Sequence, residues 1–248
     1  MNRRRVAMVA MAFLVAGALS VEAAEKAKVL FLRGGGIHDW KTSTQVLMPV
    51  FEKTGDFEVT LTEKLEDLNA DNLKNYNLVL FHCTGLEFTS PDQEKALCDF
   101  VRDGGAWAGF HSVTDSFKKS DAYWEMVGGR FAGHGGGKFT AYIIDKEHPI
   151  TKPMEDFEIQ DETYSHQYHK FASLRTLVRM NKGNERQSMA WVQDYGKGRV
   201  FYTGLGHGKE AWTNPQFQRL LVRGMYWAVG REPKDPPAPE APATEKKE

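Results

Sequence analysis

Apolar positions along the chain fall into short runs that alternate with helical stripes. Lys28 to Leu32 is an apolar run that breaks off at Arg33-Gly34-Gly35-Gly36, the pattern of a strand buried on both faces. Val46, Leu47, Val50 and Phe51 then share one helical face, with Pro49 placed to kink it. Phe57 to Leu61 alternates as a second strand, and Leu78 to Phe81 is a third run, ending at His82-Cys83-Thr84-Gly85. The helix that follows carries its own punctuation: Ser90 as N-cap, Pro91 at the first position, Gln93 completing a capping box and Gly104 beyond the end. Gly105 to Phe110 is a fourth strand that stops abruptly at His111-Ser112.

This β-α alternation predicts an α/β fold with a mostly parallel sheet and right-handed crossovers, in which a site lies beyond the carboxyl ends of the strands. The second half is richer in strands. Lys138 to Ile144, Thr163 to Tyr168 and Leu174 to Met180 are candidates, and Met189 to Val192 and Arg199 to Thr203 flank a Gly196-Lys197-Gly198 hairpin signal. A last helix is capped by Asn214 and Pro215, turns Phe217, Leu220, Leu221, Met225 and Ala228 inward, and stops at Gly230.

The two ends break this pattern. In residues 1–23, Arg3, Arg4 and Arg5 precede the apolar run Val6 to Leu19, and Val21-Glu22-Ala23 offers small residues at a cleavage site. That order predicts a signal peptide and a periplasmic or secreted protein, with an uncleaved N-terminal anchor as the alternative, and the run is too short to span a bilayer. Residues 232–248 hold five of the ten prolines, eight charges and no large apolar side chain, so a disordered tail is expected there. One domain, residues 24–231, lies between.

Composition narrows the chemistry. The 248 residues carry a net charge of −1, and loss of residues 1–23 leaves 29 basic against 32 acidic side chains, with no basic excess for nucleic acid. Two cysteines make neither a disulfide scaffold nor a structural zinc site, and both are expected as free buried thiols. Gly34-Gly35-Gly36 lacks the last glycine of a dinucleotide fingerprint, Gly133 to Lys138 fails as a phosphate loop, and neither HExxH nor GxSxG occurs. What remains is the placement of histidines. His38, His82, His111 and His207 each follow or end a strand, which gathers imidazoles at one sheet edge. His134 lies in a Gly-rich stretch that can cover the same edge, and Asp161-Glu162 is a carboxylate pair before a strand. His166 and His169 are three apart on a strand and so face opposite ways.

A series of motifs resembles the ThuA-like (trehalose-utilisation) family. Gly104 to Ser112, Trp124 to Phe131 with His134, and Asp145 with His148-Pro149-Ile150-Thr151 begin the match. Phe157 with Asp161 to Tyr164, Ala190-Trp191, Tyr195 to Thr203 and Leu205-Gly206-His207 complete it, from about residue 28 to 230. The stretch Asn181 to Gln187 is shorter than usual for the family. The resemblance implies a flavodoxin-like three-layer fold of the class I glutamine amidotransferase superfamily, with additional strands in the second half. It also implies a part in disaccharide use, through 3-keto sugars. Where amidotransferases carry a nucleophilic cysteine, this chain has His111, so glutamine-hydrolysing chemistry is not expected.

Three readings stay open at this point: an enzyme on a small-molecule carbohydrate (an isomerase, lyase or hydrolase), a non-catalytic sugar-binding protein, and a metal-dependent hydrolase of another substrate. In the first, His38, His111, His207, Asp161 and Glu162 are the catalytic set. The three histidines are then candidate ligands for a divalent metal such as zinc. Trp40, His134, Tyr164 and Trp212 are candidate substrate contacts, although core packing is the ordinary role of a tryptophan. A homo-oligomer is compatible with all three.

Overall fold

The computed structural model describes residues 25–181 and 188–238. The expected signal segment and most of Asn181 to Gln187 lie outside the described residues.

Side chains on the first strands alternate between two cores, which makes three layers. In β1 (Ala27–Gly34), Val29 and Phe31 point to one face and Leu30 and Leu32 to the other. β3 (Leu78–Cys83), β4 (Ala106–Phe110) and β9 (Gly198–Thr203) repeat the alternation. The first face is covered by α1 (Trp40–Lys53), through Leu47 and Phe51, by the short α5 (Lys209–Trp212), through Ala211 and Trp212, and by α6 (Pro215–Ala228), through Phe217, Leu220, Leu221 and Met225. The second is covered by α2 (Ala70–Leu73), α3 (Pro91–Arg102) and α4 (Asp121–Val127). The capping residues act as expected: Ser90 Oγ accepts from Gln93 N, and Asn214 Oδ1 from Gln216 N and Phe217 N. α1 runs without interruption through Pro49.

With β2 (Phe57–Thr62), β5 (Gly129–Ile143), β6 (Phe157–Tyr168), β7 (Arg175–Arg179) and β8 (Ser188–Tyr195), the sheet has nine strands in the order β2-β1-β3-β4-β9-β8-β7-β5-β6. The first five are parallel, in the spatial order of a flavodoxin-like fold, and the other four are antiparallel.

β5 and β6 both begin well before their expected limits, β6 at Phe157 rather than Thr163. β5 begins at Gly129 rather than Lys138, so the Gly-rich stretch is strand, not loop. It pairs with β6 from Gly129↔Tyr168 to Ala141↔Phe157, but with β7 only at Tyr142 and Ile143. A long two-stranded ribbon results, and Asp161-Glu162 lies within it rather than before it. At the other end, the expected free tail is corrected for residues 232–238. Pro233 is buried, and Asp235 accepts from Arg219 Nε (2.7 Å) and Nη2 (2.8 Å) and from Arg223 Nη1 (2.9 Å). Two guanidinium forks on α6 thus dock a segment that has little apolar surface of its own.

Cys83 and Cys98 are both free and buried, and burial pushes each thiol up to about 12.

Candidate functional site

Because β1, β3, β4 and β9 are parallel, the residues that follow them emerge at one edge. His38 comes from the loop after β1, Thr84 follows β3, His111 and Ser112 follow β4, and the Gly204–Gly208 turn with His207 follows β9. β6 of the ribbon brings Asp161, Glu162 and Tyr164 to the same place.

The donor atoms converge tightly. His38 Nε2 lies 3.0 Å from His111 Nε2, His207 Nδ1 lies 3.2 Å from the same atom, and Tyr164 Oη is also 3.2 Å from it. Glu162 Oε2 is 3.6 Å from His111 Nε2 and 3.3 Å from His207 Nδ1. One ligand atom from each of His38, His111, Glu162 and His207 lies within 4.8 Å of all the others. A tetrahedral ion with bonds of about 2.0–2.1 Å places its ligands about 3.3–3.4 Å apart. Four of the side chains expected as catalytic therefore gather at the spacing of a metal centre.

His111 sits at the turn directly after β4. Its φ of +53° is left-handed, costly for a non-glycine residue, and a short 3-10 turn, His111–Asp115, follows. The turn is held by the Tyr202 hydroxyl, which donates to His111 O at 2.7 Å. His111 Nδ1 faces Gly204 O at 3.2 Å; a carbonyl only accepts, so the proton is on Nδ1 and the Nε2 lone pair points into the cluster. Burial, then the neighbouring His38, pushes His111 well below the usual imidazole range, and burial with His207 lowers His38 to about 4. Both rings are neutral near pH 7.

Asp161 is engaged on backbone N–H groups through both carboxylate oxygens. Its Oδ2 accepts from Gly206 N (2.7 Å), and its Oδ1 accepts from His207 N (2.9 Å) and Glu162 N (2.9 Å). Burial raises this carboxyl to about 6 against the pull of those three N–H groups. With both oxygens engaged on backbone, Asp161 holds the His207 turn. Trp212 holds the same turn from the other side, donating Nε1–H to Gly206 O at 2.6 Å. At 2% exposure it has no ring face free for a sugar, which corrects its expected role as a platform.

The remaining candidates separate. Tyr164 is buried with its hydroxyl in the cluster, and half-exposed His134 lies at its rim, Nδ1 3.5 Å from Glu162 Oε1. Trp40 is half-buried under the Arg33 guanidinium, 5.0 Å from its ring, and its backbone N–H donates to His38 O at 2.9 Å. His82 does not join the cluster either. It is fully buried, stacks on Phe110 at 4.2 Å and faces Ser43 Oγ at 2.7 Å. His166 contacts Tyr202 Oη at 3.0 Å, whereas His169 lies past the end of β6 near Asp121, so the pair does not act together.

A family model described as ThuA, trehalose utilisation, matches residues 28–228. The chain belongs to this family. Among solved structures, it is similar to a ThuA-like protein from Parabacteroides merdae (22% identity, TM-score 0.74, covering 87% of this chain and 94% of that one). Another, from Bacteroides uniformis, is 20% identical with a TM-score of 0.68, covering 87% and 97%. A β-galactosidase from Rahnella sp. R3 shares the fold over 83% of this chain but only 31% of its own (11% identity, TM-score 0.59). At such identities the likeness is one of fold. No curated protein matches the chain. Membership of the ThuA family makes this a protein related to carbohydrate utilisation.

Proposed function

We propose that this ThuA-family chain is an exported, divalent-metal-dependent enzyme acting on a carbonyl-bearing sugar by proton transfer beside the carbonyl. The observation that carries the reading is the set His38, His111, His207 and Glu162, whose donor atoms lie within 4.8 Å of one another. Three imidazoles and an open position are what a catalytic metal centre needs, whereas a structural site closes all four. A bound ion would supply an electrophile for the carbonyl oxygen.

The chain's own groups then have distinct tasks. His38, His111 and His207 would hold the ion. Glu162 turns Oε2 to the cluster and Oε1 to His134, so it is placed to take a proton from the carbon next to the carbonyl and pass it to the rim. The Tyr164 hydroxyl, beside His111, is a donor for a substrate oxygen. Isomerisation or elimination of a 3-keto-glycoside fits this arrangement, and the trehalose-utilisation description of the family supports a disaccharide-derived substrate. Glutamine hydrolysis has no support, since both thiols are buried and His111 occupies the elbow. The charge, apolar run and small residues of 1–23 support export, and N-terminal sequencing of the mature protein tests it.

The test of function is metal content followed by a substrate screen. Protein prepared without chelators should hold about one divalent ion per chain and convert keto-glycosides in preference to ordinary glycosides. Metal-free protein that binds sugars without changing them would establish a binding protein instead.

A further inference from the structure

A chain of hydroxyls behind His38 ends on a backbone carbonyl and has only one consistent direction. Ser112 Oγ donates its single proton to Cys83 O at 3.1 Å. It therefore accepts from Thr84, whose Oγ1 donates to it at 2.5 Å. With that proton committed, Thr84 Oγ1 can only accept from His38 Nδ1, 2.7 Å away. His38 consequently carries its proton on Nδ1 and presents a bare Nε2. The atom facing that lone pair, His111 Nε2, has no proton to give, because His111 donates through Nδ1 to Gly204 O. Two lone pairs 3.0 Å apart repel each other, and a cation bound by both nitrogens removes that repulsion.

The loop that carries His38 is built onto the same threonine. Gly35 and Gly36 have φ of +69° and +52°, and a Cβ on either would lie 2.4 Å from Thr84 O or 2.6 Å from Thr84 Cβ. Only glycine lets the loop close on Thr84 at this distance. We infer that Thr84 and Ser112 are positioning residues for a metal centre, a hydroxyl relay that locks His38 in the metal-binding tautomer. The inference rests on the metal reading above and adds residues that touch no ion. Partners of this kind usually act through the ligand they orient.

The experiment uses the full mature chain and Zn²⁺ alone, with affinity read by competition against a chromophoric chelator. Thr84→Val, which keeps shape and removes the hydroxyl, should weaken Zn²⁺ binding about 10- to 100-fold, and Thr84→Ser should restore it. Ser112→Ala should weaken it in the same direction. In a His38→Ala background Thr84→Val should add nothing, since the relay acts only through that ring. In metal-free protein, ¹⁵N spectra should show His38 as the Nδ1–H tautomer in the wild type and not in Thr84→Val. Equal affinity of wild type and Thr84→Val, or an undiminished effect without His38, would overturn the relay. Wild-type protein that binds no Zn²⁺ would overturn the metal reading, and the tautomer spectra would then still decide whether the relay sets the proton on His38.

Discussion

His111 pairs a left-handed backbone with complete burial of an imidazole, and both features hold its Nε2 on the centre of the cluster. His38, His207, Tyr164 and Glu162 all reach within 3.6 Å of that atom, so removing it should dismantle the site, whereas Glu162 can be altered without losing the ion. His111→Ala is expected to lose the bound divalent ion in elemental analysis. Glu162→Gln should retain the ion, because three imidazoles remain, yet lose about 10²- to 10⁴-fold in turnover of a keto-glycoside. Loss of the ion in Glu162→Gln would make Glu162 a ligand rather than a base. At this scale the sequence was informative where chemistry and position coincide. His38, His111 and His207 follow strands of a parallel sheet, and topology alone brings them together. His82 separates from them because a histidine near the end of a strand can face the layer beneath, where Phe110 and Ser43 hold it. Thr84 and Ser112 were not legible, since their role needs the knowledge that β1, β3 and β4 are neighbours.

The ribbon of β5 and β6 is the element that completes the site. Residues 133–137 read as a loop because glycine has little strand propensity, but pairing along the length of β6 overrides it. The same pairing sets Asp161 and Glu162 mid-strand, opposite Gly137 and Gly136. Asp161 ties the ribbon to the turn carrying His207 through backbone N–H groups that would otherwise be buried without partners. Asp161→Ala should therefore cost about 1–3 kcal/mol in urea unfolding and weaken metal binding. At saturating metal its turnover should stay close to wild type, and a collapse of kcat there would return Asp161 to the chemistry.

Across the whole molecule, docking of residues 232–238 and burial of neutral imidazoles adjust a stability set mainly by the two apolar cores. Asp235 engages Arg219 and the nearly buried Arg223, so truncation after Arg231 should remove about 1 kcal/mol and lower Tm by about 2–4 °C in calorimetry. His148 and His166 are lowered by burial to about 4 and about 3, from 6.5. Above pH 6.5 both states are neutral there; below it the unfolded chain takes up protons first. Metal-free protein should accordingly lose Tm steadily from pH 6.5 to 4, and His148→Gln should flatten that slope. Part of the loss is offset near pH 6, where the raised carboxyl of Asp161 protonates first in the folded state. The clustering of His38, His111 and His207 has a further consequence for how the chain is held. These residues come from three segments that are far apart in sequence, so an ion shared by them would tie the beginning of the domain to its end in a single covalent-like stitch. Such a stitch forms only after the parallel strands have docked, which makes it a late event in folding and a brake on unfolding. The loaded protein would then outlast the empty one against proteases by more than its contacts alone suggest.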